Sequence, residues 1–251
     1  GWYSLPNIDV DPLYDVNGGN VVLNSSQLIF ERRNNDDNAF ESRNLPIGFE
    51  NGNSGNTPTQ NLVDAYEMAD GTPFSWENAK HAKPYSERDP RFYKAILYNE
   101  ASFMGTKIET FEGGRNASPI TGATLTGYYL RKYMNETVSL SPTNPIKKPH
   151  HFILFRYAET LLNYAEAMNE LGGPDYTSDA DELPMSARTA LNMVRSAANM
   201  PNITDNGDDF TTRLRNERRI ELAFEDHRFW DIRRWMIGDV VKDIYGVKIT
   251  K

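Results

Sequence analysis

The chain has 251 residues, of which 39% are hydrophobic and 12% aromatic, and its 35 acidic and 27 basic residues give a formal charge of -8. This length fits one ordinary domain, and the absence of cysteine excludes disulfides, iron–sulfur clusters, Cys-ligated zinc and thiol nucleophiles. The acidic balance, without a long basic run, argues against nucleic acid as a partner, and no apolar run approaches the roughly 20 residues of a membrane-spanning helix.

The composition changes near residue 150. Residues 1–150 are rich in Asn, Gly, Pro and aromatic residues, which predicts long loops rather than disorder. Residues 151–251 instead have helical periodicity. We therefore expect a loop-rich first part that faces a ligand and a helical second part that forms the core.

Two segments of the first part have the composition of strands. They are residues 27–30 and 127–133, and we expect them to form a small antiparallel sheet. Between them the sequence predicts a short helix with Thr57 as its N-cap, Pro58 at the first helical position and Gln60 completing a capping box.

Three further helices are predicted. Asp89 followed by Pro90 is a second cap-plus-proline helix start. The apolar residues between positions 154 and 171 then recur at steps of three and four: Leu154, Tyr157, Ala158, Leu161, Tyr164, Ala165, Met168 and Leu171. Ser186 is the predicted N-cap of the next helix. The pattern predicts that residues 155–171 and 187–199 form an antiparallel pair that buries Leu161, Ala165, Leu191 and Val194.

The last helical stretch extends from Asp209 to about Met236. Its apolar stripe changes face, which predicts a break near Asp226, a residue type that tolerates the left-handed conformation. Trp230 and Trp235 are expected to lie in the core. Residues 213–234 contain seven arginines and five acids. We expect Arg219, Arg228 and Arg233 to pair with acids or backbone carbonyls beneath these tryptophans, and each to have a partner or reach water, because an unpaired buried guanidinium is costly.

Signatures of catalysis and metal binding are weak. The sequence has no phosphate-binding loop, dinucleotide fingerprint, zincin motif or hydrolase elbow. His150 and His151 fit a plain loop better than a metal site, and His227 fits a structural histidine. The acids at 175–182 and at 205–209 lack the spacing of a calcium loop, so solvated loops are favoured over calcium. We expect no metal and no cofactor.

Ligand binding is expected on the loops of the first 115 residues. Trp76 and Tyr14 are the candidates for stacking against a ligand, and Arg33 and Asn34 are the candidates for hydrogen bonding. Trp76 follows the Asp70–Gly71 turn, where no amphipathic pattern demands burial. The alternative, that Trp76 and Tyr14 pin long loops onto the helices, remains open.

Residues 218–235, with the sequence RRIELAFEDHRFWDIRRW, resemble the C-terminal signature of the SusD/RagB family of outer-membrane nutrient-uptake lipoproteins. Residues 57–67, 88–93 and 156–167 are similar to that family in the expected order. The resemblance implies the C-terminal portion of a mostly helical, tetratricopeptide-related fold with long irregular loops and a small antiparallel β element. The family usually has Gly where Asp226 stands. Its N-terminal helical repeats and lipidated cysteine have no counterpart in this chain, which begins with Gly1.

The resemblance implies binding without catalysis. A member of this family lies on the cell surface, anchored by lipid, and delivers an oligosaccharide or, in some members, a peptide to a SusC-like TonB-dependent transporter. No catalytic residue carries over to this chain. A peptide-binding helical scaffold is the alternative, and a glycosidase is a third possibility that requires two carboxylates across a cleft.

Overall fold

The computed structural model describes residues 3–15, 25–77, 83–179, 182 and 184–250. Its helices are α1 (Ala39–Asn44), α2 (Gln60–Ala65), α3 (Pro90–Ala95), α4 (Tyr157–Gly172), α5 (Ala187–Ala197), α6 (Gly207–Glu221) and α7 (Arg228–Arg234). Its strands are β1 (Leu28–Arg32), β2 (Asp36–Asp37), β3 (Ile96–Leu97), β4 (Ser102–Phe103), β5 (Thr106–Lys107), β6 (Tyr129–Leu130), β7 (Lys148–Pro149) and β8 (Phe152–Arg156). The expected fold class, mostly helical with long loops and small antiparallel β elements, is confirmed.

Helices α4, α5 and α6 surround the largest apolar core. The four residues predicted to be buried there, Leu161, Ala165, Leu191 and Val194, are all buried. Phe210 and Leu214 of α6 complete the cluster. The periodic pattern extends beyond the core at both ends, because Leu154 lies in β8 and Leu171 is 61% exposed. The predicted helix pair is therefore confirmed, with Leu154 and Leu171 outside its core.

Helix starts follow the capping chemistry of the sequence with one correction. Asp89 caps α3 by accepting from the amide of Arg91, and Ser186 caps α5 by accepting from the amide of Thr189, both as predicted. The prediction of Thr57 as the N-cap of α2 is wrong, because Thr59 is extended and accepts from the amide of Leu62. Thr57 and Thr59 each have a hydroxyl that can cap a helix. The tertiary contacts of Gln60 favour Thr59 as the N-cap.

Those contacts belong to Gln60, the first residue of α2. Its amide group donates to Asp64 Oδ1 (2.6 Å) and accepts from the Tyr128 hydroxyl (2.7 Å), so it does not close the expected capping box. Its backbone amide donates to the carbonyl of Tyr245 (2.8 Å). Helix α2 is thereby fixed between the middle of the chain and the C-terminal segment.

The strands form four separate two-stranded antiparallel ribbons. Residues 27–30 and 127–133 do not pair with each other, so that expectation is wrong. Strand β1 pairs with β8, with Phe30 opposite Phe155, whereas β6 pairs with β3. Strand composition identified the segments, but the choice of partner depends on where the helices bring later segments.

The C-terminal segment crosses back over the first part of the chain. The amide of Val247 donates to the carbonyl of Thr126 (2.9 Å), and the amide of Glu112 donates to the carbonyl of Ile249 (2.8 Å). Gly127, at φ +85°, permits this close approach, because a Cβ atom there would lie 2.6 Å from a methyl group of Val247. The crossing holds the loop-rich part against the helices.

The predicted break between the last two helices is confirmed. Helix α6 ends at Glu221, α7 begins at Arg228, and Asp226 between them has φ +63°. The prediction that Trp230 lies in the core is wrong, because its side chain is 65% exposed, while Trp235 is half-buried. Helix α7 has only two turns, and the face that it buries carries Asp231 and Ile232.

Candidate functional site

A buried network of charged side chains lies beneath the loops. Arg156 is 1% exposed and donates to Gln27 Oε1 (2.8 Å), Glu221 Oε1 (2.6 Å) and both carboxylate oxygens of Glu225 (2.7 and 2.9 Å). Lys132 donates to Glu225 Oε1 (2.6 Å) from the other side. Burial alone would raise the pKa of Glu225, but the charges of Arg156 and Lys132 outweigh it and lower that pKa to about 2.

The network continues through Arg91, which is also fully buried. Its guanidinium pairs with Asp89 (2.7 Å) and Glu221 (2.9 Å) and contacts Glu217. Glu217 also pairs with Arg195 (2.8 Å). The network therefore joins α3, α5 and α6, and it fixes the base on which the surface loops rest.

An exposed aromatic side chain, Trp76, lies beside helix α2. Its indole Nε1 donates to Asp64 Oδ1 (3.2 Å), and its ring packs edge-on against Phe74 with the centroids 5.2 Å apart. The Phe74 ring in turn lies over the guanidinium of Arg88 at 4.0 Å. We call Trp76, Phe74, Asp64 and Arg88 the Trp76 platform.

Arg88 makes the Trp76 platform rigid. It is 1% exposed and donates to the carbonyls of Tyr66 and Pro84, each at 2.7 Å, and to that of Val63. Because Trp76 remains 53% exposed above these contacts, part of its ring is open to solvent. Aromatic rings held in this way can stack against the C–H face of a sugar, while Asp64 offers a neighbouring acceptor.

Tyr14, the second stacking candidate, lies in the interior. Its side chain is 8% exposed, and its hydroxyl donates to Glu221 Oε1 (3.2 Å). Burial, together with the charge of Glu221, raises the pKa of Tyr14 well above its usual range. A ring so enclosed favours the alternative, in which Tyr14 holds a loop onto the helices, and its stacking role stays a prediction.

Arg33 and Asn34 follow β1. Arg33 is exposed and pairs with Glu31 (2.9 Å), whereas Asn34 donates to the carbonyl of His150 (2.6 Å). The amide of Asn34 is therefore used to hold the 148–151 segment. No contact within the described ranges joins either residue to Trp76, so the structure does not gather the four predicted residues into one site.

A cavity of about 390 Å³ lies beside α7 and was not anticipated from the sequence. Its lining includes Phe40, His150, Phe152, His227, Arg228 and Phe229, and we call it the α7 cavity. The only signal in the sequence was the change of apolar face near Asp226, which leaves α7 with apolar residues that the core does not need. Phe229 is accordingly 53% exposed.

The histidines of the α7 cavity have structural contacts. The His150 ring stacks on Phe40 with the centroids 3.9 Å apart, and burial lowers its pKa, so it is neutral at pH 7. His227 Nε2 lies 3.6 Å from Glu159 Oε2. Within the described residues, no group of three or more His, Asp or Glu side chains could hold a metal ion. Asp181, one of the acids considered for calcium, lies outside those residues.

The three arginines expected to be paired differ from one another. Arg219 donates to the carbonyl of Asn61 (2.8 Å), and Arg233 donates to that of Phe229 (2.8 Å), as expected. The prediction is wrong for Arg228, which makes no hydrogen bond or close ion pair within the described part of the chain. Asp231, whose charge acts on Arg228, is already bonded to Arg218 (2.9 Å) and Arg234 (2.9 Å), while Asp226 is exposed to solvent.

No helix in the described ranges is long and apolar enough to cross a membrane.

The model of the SusD family matches residues 26–247 of the chain. SusD-like protein P38 of Formosa agariphila is 39% identical over 105 residues, which is 40% of this chain and 19% of that protein. The alignment therefore covers about a fifth of that relative.

Solved structures show the same similarity. A SusD-like protein from Bacteroides fragilis superposes with a TM-score of 0.81 at 28% identity, over 98% of this chain and 51% of that chain. A SusD-like carbohydrate binding protein from the same species gives a TM-score of 0.77 at 28% identity, over 98% of this chain and 48% of that chain. The chain thus spans about half the length of these two structures.

Proposed function

The chain belongs to the SusD family, and we propose that it binds an oligosaccharide at the cell surface and delivers it to a SusC-like TonB-dependent outer-membrane transporter. The observation that carries the proposal is the Trp76 platform, in which an exposed indole is held by Asp64 and Phe74 above a buried arginine. A carbohydrate-binding protein among the structural relatives supports the same class of ligand.

The loop-rich residues 1–150 supply the proposed ligand-facing surface, and residues 151–251 supply the helical base. Trp76 provides the ring face, and Asp64 accepts hydrogen bonds beside it. Exposed Arg33 contributes a further polar contact only if the ligand extends beyond the platform. The proposed location is the outer membrane, with attachment through a lipid anchor as in the family that the sequence resembles.

The state of the glutamate that lines the α7 cavity supports binding rather than catalysis at that cavity. Glycoside hydrolysis needs a carboxylic acid that keeps its proton near neutral pH, which requires a raised pKa. Glu225, which lines the α7 cavity, is held ionised by Arg156 and Lys132, with its pKa lowered to about 2. Burial would also raise the pKa of Glu221, but the charges of Arg156, Arg91 and Lys132 lower it to about 2. These carboxylates stabilise the fold and cannot serve as general acids.

The test of the proposed function is glycan binding by Trp76 variants. Trp76→Ala should weaken binding to the best oligosaccharide on a glycan array by about tenfold or more, because a central aromatic contact is lost. Trp76→Phe should weaken binding less, because it keeps an aromatic ring and removes only the hydrogen bond to Asp64. Calorimetric titration measures the affinity, and thermal melting should be unchanged within error for an exposed side chain.

Phe30→Ala is the matched control, because Phe30 is an equally exposed aromatic residue on β1, at 62%. It should leave the affinity unchanged. Equal losses in both variants would contradict a site at Trp76. Binding of peptides from a library, with no binding of any glycan, would favour the alternative of a peptide-binding scaffold.

A further inference from the structure

Helices α6 and α7 carry more positive charge than their own acids neutralise. Glu217, Glu221 and Glu225 are bonded to cations from distant segments, chiefly Arg91, Arg156, Arg195 and Lys132. Asp231 is shared by Arg218 and Arg234. The long-range pairing therefore leaves Arg219, Arg228 and Arg233 without a carboxylate bond within the described residues, although the whole chain is acidic.

Arg228 is the member of this group that lines the α7 cavity. It is half-buried, and burial lowers its pKa, with only the more distant charge of Asp231 opposing that effect. Arg219 is affected in the same sense: burial and then the charge of Arg228 lower its pKa to about 10. Neither guanidinium makes a carboxylate bond within the described residues, and each is affected by burial, so an anion bound in the cavity at Arg228 would be stabilised by its charge.

The rest of the lining fits a sugar ring. Phe229 is exposed on one side and is braced by the guanidinium of Arg233, which lies 3.4 Å from its ring centroid. Phe152 and Asn56 also line the cavity and add apolar surface and an amide. Two acids are present: Glu225 is neutralised by Arg156 and Lys132, and Asp226 is exposed. The volume of about 390 Å³ lies within the range of about 300–1,000 Å³ that is typical of small-molecule sites.

We infer that the α7 cavity is a subsite for an acidic sugar residue, whose carboxylate or sulfate group is bound by Arg228 while its ring packs on Phe229. The inference rests on the proposed function and specifies its ligand class. Arg228 is suited to this task because its planar guanidinium presents parallel N–H groups to the two oxygens of such an anion. The subsite is distinct from the Trp76 platform in its chemistry, since it selects charge rather than only a ring face.

The test compares three oligosaccharides of equal length by calorimetric titration: a trigalacturonate, a sulfated galactan trisaccharide and a neutral galactan trisaccharide. The protein is used at its full natural length. One of the two acidic ligands should bind at least tenfold more tightly than the neutral one at low salt, and the comparison identifies carboxylate or sulfate as the anion. Arg228→Gln should remove that preference, a loss of about 10- to 100-fold for the acidic ligand.

Lys107→Gln is the matched control, because it removes one exposed positive charge that does not line the cavity. It should leave the preference intact. Phe229→Ala should weaken binding of the acidic and neutral ligands alike. The melting temperature of Arg228→Gln should equal that of the wild type, because Arg228 makes no hydrogen bond within the described residues that the substitution would remove.

Four outcomes are possible. An unchanged preference in Arg228→Gln overturns it, as does equal affinity of the wild type for neutral and acidic ligands, and in both cases glycan binding as the proposed function stands. If the wild type binds glycans of neither kind, on the array or in titration, the proposed function itself fails. Loss of the preference in Arg228→Gln, with Lys107→Gln unaffected, supports the subsite.

Discussion

Replacing Arg156 by methionine removes the guanidinium at the centre of the buried charged network while keeping the length of an unbranched side chain. Arg156 is 1% exposed and contacts Gln27, Glu221 and Glu225. The substitution leaves the Glu221 carboxylate with Arg91 and the Tyr14 hydroxyl, and it leaves Lys132 as the cation paired with Glu225. Two carboxylates that burial would otherwise neutralise therefore lose their strongest partner.

The expected loss in the free energy of unfolding is about 3 to 5 kcal/mol at pH 7, which is typical when one partner of a buried ion pair is removed. The lowered pKa values of the two glutamates give an energy of the same order of magnitude. Lowering a pKa from 4.5 to about 2, as in Glu225, corresponds to roughly 3 kcal/mol of interaction, and Arg156 is its largest favourable contributor.

Urea denaturation followed by circular dichroism measures this loss. The control is Lys107→Met, because Lys107 and Glu100 are both exposed and 3.8 Å apart, so its loss should stay below about 0.5 kcal/mol. The difference between Arg156→Met and the wild type should shrink near pH 3, where the carboxylates of the variant take up protons. A loss under about 1 kcal/mol at pH 7 would refute the view that this network stabilises the fold.

Three further predictions concern stability. Leu161→Ala should cost about 2 to 5 kcal/mol in urea denaturation, because Leu161 is 2% exposed in the α4–α5 core; an unchanged midpoint would contradict its packing role. Asp226→Gly should raise stability by up to about 1 kcal/mol, since φ at this exposed position is +63°; a loss would show that the side chain has a role of its own. The contribution of Glu221 and Glu225, whose folded pKa values are lowered to about 2, should be fully present above pH 4.5 and be lost as the pH falls from about 4.5 towards 2. Glu67, whose pKa burial raises, titrates in the opposite sense, so acid titration of the melting temperature reports the net effect.

The charged network also explains how long loops can present a binding surface. Arg156 and Arg195 bond to the backbone carbonyls of Glu221 and Pro201 as well as to acids. Arg88, beneath Phe74, bonds to the carbonyls of Tyr66 and Pro84. Each such bond fixes a loop to the helical base without needing a regular strand or helix. Trp76 is held in place through its contact with Phe74, which lies over Arg88. Binding residues on loops gain precision when the supporting side chains are themselves fixed.

The sequence by itself determined the features that depend on neighbouring residues. Periodicity located the α4–α5 pair, hydroxyl and carboxylate caps located the starts at Asp89 and Ser186, and the change of apolar face located the break at Asp226. The C-terminal signature was sufficient to identify the family, because it is a long segment rich in arginine and tryptophan. Capping bonds and amphipathic faces act within one or two helical turns, so the local sequence is enough to define them.

Only the tertiary structure decided which charges meet and which aromatic residues remain exposed. Arg156 and Glu225 are 69 positions apart, and Arg91 and Glu221 are 130 apart, so no local pattern could pair them. The same packing buried Tyr14 and left Trp230 exposed. It also paired Glu217 and Glu221 of α6 with distant cations, and it left Arg228 beside a cavity without an ion pair in the described part of the chain. The physical reason is that burial and ion pairing depend on which segments the whole core brings together, whereas propensity and periodicity are properties of each segment alone.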